Sequence, residues 1–165
     1  MTGGQHPKEP LPLEQRRSLM TGAMIGVALM AAVDEIVFHQ LLGWHHFYDR
    51  AARDVALLSD GLLHAAEVVL LVAGFVLLAD LRGRHALAAR SAWAGLLLGA
   101  GAFQLWDGLI DHKVLRLHQV RYGVDPFTYD VAWNVAGLAL LAAGVGVAWR
   151  NRTGADERSG RRPSA

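Results

Sequence analysis

The chain has 165 residues, 53% of them apolar, with 16 basic against 15 acidic side chains and no cysteine. That length suits one domain, and the apolar share is high for a soluble one. The lack of cysteine excludes disulfides, thiolate metal sites and a cysteine nucleophile. The basic residues lie in loops and tails rather than along one stripe, which argues against a nucleic-acid partner.

In chain order, residues 1–15 hold Gly3, Gly4, Pro7, Pro10 and Pro12 and read as a disordered tail. Residues 16–150 hold four apolar segments, from about Ser18 to Gln40, Ser59 to Leu81, Leu87 to His112 and Tyr129 to Trp149. Residues 151–165, rich in Arg, read as a second disordered tail. A helix needs about 20 residues to cross the hydrocarbon core. The fourth segment is a clean span, uncharged from Val131 to Trp149, whereas the others are uncharged over Leu19–Val33, Val68–Ala79 and Ser91–Trp106 and turn polar at one end. The first has no small-residue cleavage site after its apolar stretch, so it reads as a retained span rather than a signal peptide. The predicted fold is an all-α integral membrane four-helix bundle, with the lipid bilayer as its partner.

The polar ends follow a rule. In the first segment the C-terminal end carries Asp34, Glu35, His39, His45 and His46, and in the second the N-terminal end carries Asp60, His64 and Glu67. The third is polar at its C-terminal end, with Asp107, Asp111, His112 and His118, and the fourth at its N-terminal end, with Tyr129, Asp130 and Asn134. Successive spans alternate direction, so all four polar ends fall in one leaflet. Ionisable groups inside a membrane are costly and mark functional sites. Loop charge sets the expected orientation: Arg82, Arg84, Arg90 and the basic tails lie on one side, which the positive-inside rule makes cytoplasmic. Arg outnumbers Lys fourteen to two, which reads as a GC-rich bacterial coding bias, so the expected location is a bacterial plasma membrane with both termini in the cytoplasm and the polar layer facing outward.

Residues 17–45 and 90–118 share the pattern R-S-x3-G-x3-G-x7-D-x4-H-x2-L-x2-H at a shift of 73 positions. The second and fourth segments correspond at a shift of 70, pairing Asp60 with Asp130 and His64 with Asn134. The chain then reads as two tandem helical hairpins, about 17–82 and 90–150, related by an axis along the membrane normal. Gly22/Gly26 and Gly95/Gly99 are small-xxx-small patterns suited to close helix packing.

On a regular α-helix His39 lies about 7.5 Å above Asp34 and about 140° around it, and His45 lies about 16 Å along the axis. Each copy is therefore expected to be half a site, completed across the bundle. Matching depths predicts an outer layer of His39, His112, Asp60 and Asp130, a deeper layer of Asp34, Glu35, His64 and Asp107, and His45, His46 and His118 at the membrane surface, over the mouth. Asp60 and Asp130, following Ser59 and Tyr129, are alternatively N-terminal caps. Imidazole and carboxylate without sulfur suit zinc, iron or manganese, and copper less specifically. The expected metal ligands are His39, His112, Asp34, Asp107, Asp60, His64, His45 and His118, with Glu35 and Asp111 as candidate catalytic bases.

At Asp34–His46, Ser59–His64 and Asp107–Leu115 the sequence resembles a family of bacterial predicted membrane proteins catalogued as a domain of unknown function. The resemblance spans nearly the whole chain between the tails. It implies four spans and supplies no activity or ligand set. The leading expectation is a divalent transition metal (zinc, iron or copper) serving hydrolysis or oxidation chemistry. The alternatives are haem held by His39 and His112 as axial ligands, or transport of a proton or metal ion.

Overall fold

The computed structural model describes residues 12–159, and among these no strand occurs. Helix α1 runs Pro12–Asp34 and continues as a π-helical segment over Glu35–Leu41. Helix α2 spans Arg53–Gly83, α3 spans Ala89–Leu105 and continues as a second π segment over Trp106–Val114, and α4 spans Phe127–Ser159. The first and last helices, α1 and α4, reach into the stretches read as tails. Pro12 sits at the first helical position, where its missing N–H costs nothing. Residues 1–11 and 160–165 of those tails lie outside the described residues.

Three stretches are long and apolar enough to cross a membrane: Pro12–Leu41, Arg53–Gly83 and Phe127–Asn151. Helix α3 falls short of that measure for a packing reason. It lies between α1 and α4, so it is lined by Gly95, Gly99, Gly101 and Gln104, which face other helices. Helices α2 and α4 flank the central pair, α2 on α1 and α4 on α3. Their outward faces are apolar and open, as at Leu62, Val69, Val76, Val135 and Leu138. That is the pattern of a lipid-facing surface.

The α1–α3 contact is backbone on backbone. A Cβ at Gly22 would lie 2.0 Å from the Ala92 carbonyl oxygen, at Gly26 2.1 Å from Leu96 O, at Gly95 2.0 Å from Leu19 O and at Gly99 2.1 Å from Ala23 O. Only glycine permits this approach, which is the expected role of small-xxx-small patterns in membranes. Side chains do the same work outside the centre: Gly74 receives Ile25, and Gly144 receives Leu98.

Both central helices end alike. The Leu42 N–H reaches Val37 O at 2.9 Å and the Trp44 N–H reaches Phe38 O at 2.9 Å, while Leu115 reaches Ile110 O at 2.7 Å and Leu117 reaches Asp111 O at 2.9 Å. These five- and six-residue closures need a left-handed residue between them. Gly43 supplies it at φ 57° and Arg116 at φ 53°. The chain therefore turns back on itself at 43 and at 116. At the other end, the Ser18 hydroxyl accepts the Ala88 N–H at 3.0 Å and ties the short α2–α3 connection to α1.

Candidate metal centre

The π segments decide which residues meet. A π turn brings residues i and i+5 onto one face, where an α turn separates them. His39 Nε2 accordingly lies 3.5 Å from Asp34 Oδ2, and His112 Nε2 lies 3.2 Å from Asp107 Oδ2. The reversals at Gly43 and Arg116 then fold the following loops onto the helix ends. They carry His45 Nε2 to 3.8 Å from Asp34 Oδ1 and His118 Nε2 to 3.3 Å from Asp107 Oδ1. Two expectations are corrected here. Asp34 and His39 do approach within one helix, because that helix is not regular α. His45 and His118 do not stand over the mouth but fold back against Asp34 and Asp107, where they are 4% and 2% exposed.

The four imidazoles form one contiguous series. Ring centroids are 4.5 Å apart for His39 and His45, 4.5 Å for His45 and His118, and 4.7 Å for His118 and His112. His45 and His118 stack with their planes 2° apart. The loops that carry them clasp reciprocally: His45 Nδ1 donates to Val120 O at 2.9 Å, and His118 Nδ1 donates to Phe47 O at 2.9 Å. A further bond joins the Asp49 N–H to Leu117 O at 3.1 Å.

The tautomers follow from these partners. A carbonyl only accepts, so Nδ1 of His45 and of His118 carries the hydrogen, and in the neutral ring Nε2 is a bare lone pair. The outer pair is arranged in the same sense. His39 Nδ1 faces Glu35 Oε2 at 2.6 Å and Asp60 Oδ1 at 3.2 Å, and His112 Nδ1 faces Asp130 Oδ1 at 3.4 Å. All four Nε2 atoms are buried without a hydrogen-bond partner, and so are Nδ1 of His39 and of His112, which approach their carboxylates without hydrogen-bond geometry. Burial, with His118 and His39 alongside, lowers the His45 pKa to about 2, so this ring is neutral. Burial opposes charge on His118 as well, but the Asp107 carboxylate outweighs it and raises that pKa.

Asp60 and Asp130 are not helix caps, since α2 begins at Arg53 and α4 at Phe127. Both serve as braces. Asp60 Oδ2 accepts from His46 Nδ1 at 2.6 Å and Oδ1 from the Phe47 N–H at 2.8 Å. Asp130 pairs with Lys113, and its backbone carbonyl accepts from Asn134 at 2.8 Å. The expected depth pairing of His39 with Asp60 and His112 with Asp130 is therefore present. His64 is not part of the cluster: its side chain is 54% exposed and pairs with Glu67. Depth matching places a residue along the axis but not around it, and His64 faces outward. Glu35 lies behind His39 and also accepts from Gln40 Nε2 at 2.8 Å, so it orients the ring instead of facing the Nε2 side. Asp111 is buried beside the cluster.

Sequence reasoning gave no role to Glu67, buried at 2% exposure. Its signal was a lone acid in a span whose counterpart, at the shift of 70, is Gly137. Likewise Glu35 corresponds to Gly108, where a Cβ would meet Asn134 Oδ1 at 2.6 Å. The extra acids thus belong to one half alone.

Three groups of side chains have ligand atoms within 4.8 Å of one another: Asp34, His39 and His45; His45, His112 and His118; and Glu35, His39 and Asp60. A helical assembly with apolar outer faces and a buried His/Asp cluster at one end defines a helical membrane protein. The chain belongs to the family described as predicted membrane protein (DUF2243), whose model matches residues 21–151. No curated protein and no solved structure matches it.

Proposed function

We propose that the protein binds a divalent transition metal through His39, His45, His112 and His118 with Asp34 and Asp107, near the extracytoplasmic leaflet. One observation carries the reading. The Nδ1 atoms of His45 and His118 are held by carbonyl oxygens and those of His39 and His112 face carboxylates, so four buried Nε2 atoms converge with two carboxylates and become ligands as the rings shed their second proton to the metal. This is the outer-shell pattern that fixes metal-ligating histidines.

The spacing supports it. Two ligands each about 2.0–2.1 Å from zinc at a tetrahedral angle stand about 3.4 Å apart. The Nε2-to-carboxylate separations of 3.5, 3.8, 3.2 and 3.3 Å bracket that edge length, whereas an N–H···O hydrogen bond is ordinarily 2.7–3.2 Å. Each half presents two imidazoles and one carboxylate, and His45 with His118 joins them. We read the halves as tandem copies: the helix-ending bonds, the left-handed residues, the carbonyl clasps and the glycine contacts each recur 73 positions on. On the loop-charge argument both termini lie in the cytoplasm.

The same geometry disfavours the other readings. A porphyrin between His39 and His112 would have to occupy the interval that His45 and His118 fill. Transport would need a polar path through the inner half, where α1 and α3 touch backbone to backbone. When bound, the metal would supply Lewis-acid or redox chemistry, and which of these it is depends on the ion. The test is calorimetric titration of the detergent-purified chain with zinc. Saturable binding that falls at least tenfold in His45→Ala and in His118→Ala is expected. Equal binding by wild type and both variants overturns the reading.

A further inference from the structure

A cavity of about 600 Å³ opens beside the cluster on the loop side, with His112 and His118 in its wall. Its remaining polar lining is one-signed: Arg50, Lys113 and Arg116, with Tyr122 and Gln119 as hydrogen-bonding groups. Lys113 is paired with Asp130. Among the described residues Arg50 and Arg116 form no ion pair, and the one bond from the Arg50 guanidinium goes to Leu115 O at 3.3 Å. Asp49, beside Arg50, is the acid whose charge reaches Tyr122 in this wall, yet it pairs with neither arginine, and two guanidinium groups around a concave opening are suited to an oxyanion.

Arg116 gives the second, independent observation. Its backbone is left-handed at φ 53°, the conformation that Gly43 adopts at φ 57° at the matching turn of the other half. A non-glycine residue is uncommon there; His85, in the turn after α2, shares the conformation at φ 53°, and at Arg116 it is the guanidinium's place in the cavity wall that gives the strained backbone a use. The other half lacks these cations, since its positions matching Lys113 and Arg116 are Gln40 and Gly43. The cations therefore belong to one entrance and are not a by-product of the fold.

We propose that this cavity binds a phosphate group, carried by a small soluble molecule or by a lipid headgroup at the membrane surface. Seated there, the anion lies against His112 and His118. That it thereby becomes a ligand or substrate of a metal at the cluster rests on the metal-binding reading; the anion site itself rests on the cavity and its arginines.

The test uses the full chain purified in detergent, with metal content measured on every sample. Titration with inorganic phosphate is expected to give saturable binding, at least tenfold weaker in Arg116→Gly and in Arg50→Gln and unchanged in Arg82→Gln at the opposite end. Arg116→Gly relieves backbone strain, so its melting temperature is expected to hold or rise, and weakened binding there does not reflect misfolding. Displacement of phosphate on transfer to phosphatidylglycerol nanodiscs, but not to phosphatidylcholine nanodiscs, assigns the site to a headgroup. Retention in both assigns it to a soluble phosphate. Absence of saturable phosphate binding in metal-loaded wild type, or equal affinity in Arg116→Gly, overturns the proposal and leaves the metal reading standing. Phosphate binding by protein that takes up no zinc, iron or copper when these are supplied overturns the metal reading alone.

Discussion

The contact between α1 and α3 sets the distance between the two halves of the cluster, so a single methyl group in that contact tests how fold and site are coupled. Gly26→Ala places a Cβ 2.1 Å from the Leu96 carbonyl oxygen, where real Cβ atoms essentially never come under 3.0 Å. The obstacle is backbone, which has no rotamer with which to yield, so the helices must part by about 1 Å. Overpacking of this kind costs about 1–3 kcal/mol. Alanine also has a higher helix propensity than glycine by about 0.8–1.0 kcal/mol, which offsets part of the loss. Gly61→Ala isolates that gain, because Gly61 lies within α2 and nothing stands within 4 Å of its added Cβ. The melting temperature of Gly26→Ala in detergent is therefore expected below that of Gly61→Ala, with a difference equivalent to about 1–3 kcal/mol. The part that spans the halves, His45 with His112 and His118, loosens with the helices, so zinc affinity falls in Gly26→Ala and not in Gly61→Ala. Equal melting and equal zinc affinity in the two variants would refute the argument that this contact holds the site together.

Other expectations follow from the braces and the buried acids. Asp60→Asn replaces a carboxylate that faces His39 and holds His46 and the Phe47 N–H; zinc affinity measured against a chromophoric chelator is expected to fall about 10–100-fold. Asp34→Asn and Asp107→Asn, each removing the carboxylate beside two Nε2 atoms, are expected to weaken zinc binding by similar factors, and a tenfold disparity would contradict the equivalence of the halves. His64→Ala is expected to leave zinc binding unchanged, since that ring lies off the cluster. It strips Glu67 of its partner, so stability should fall by about 1–3 kcal/mol and recover when Glu67→Leu is added, as read from melting curves.

Much of the assembly was legible in the sequence. Alternation of polar ends put the acids and histidines in one layer, because span direction follows from segment order alone. Depth matching paired His39 with Asp60 and His112 with Asp130, because rise per residue is nearly constant. What stayed hidden depended on angles. The π segments bring Asp34 to His39 and Asp107 to His112, and neither composition nor spacing announces a π turn. The return of His45 and His118 depends on one left-handed residue in each loop. Gly43 is a recognisable helix-ending glycine, but Arg116 at the matching position disguises the same turn. Rise per residue says nothing of the side of α2 on which His64 lies, and its ring faces away from the cluster. Glu67 carries a signal in the sequence, an acid within a span whose matching position is Gly137.

Elemental analysis with an absorption spectrum, on chain purified from cells supplied with zinc, iron and copper, tests the central claim most directly. The account predicts one or two equivalents of a transition metal per chain, no Soret band, and loss of that metal in the His45→Ala/His118→Ala double variant. Wild-type protein without bound metal, or a double variant retaining the same metal content, would contradict it.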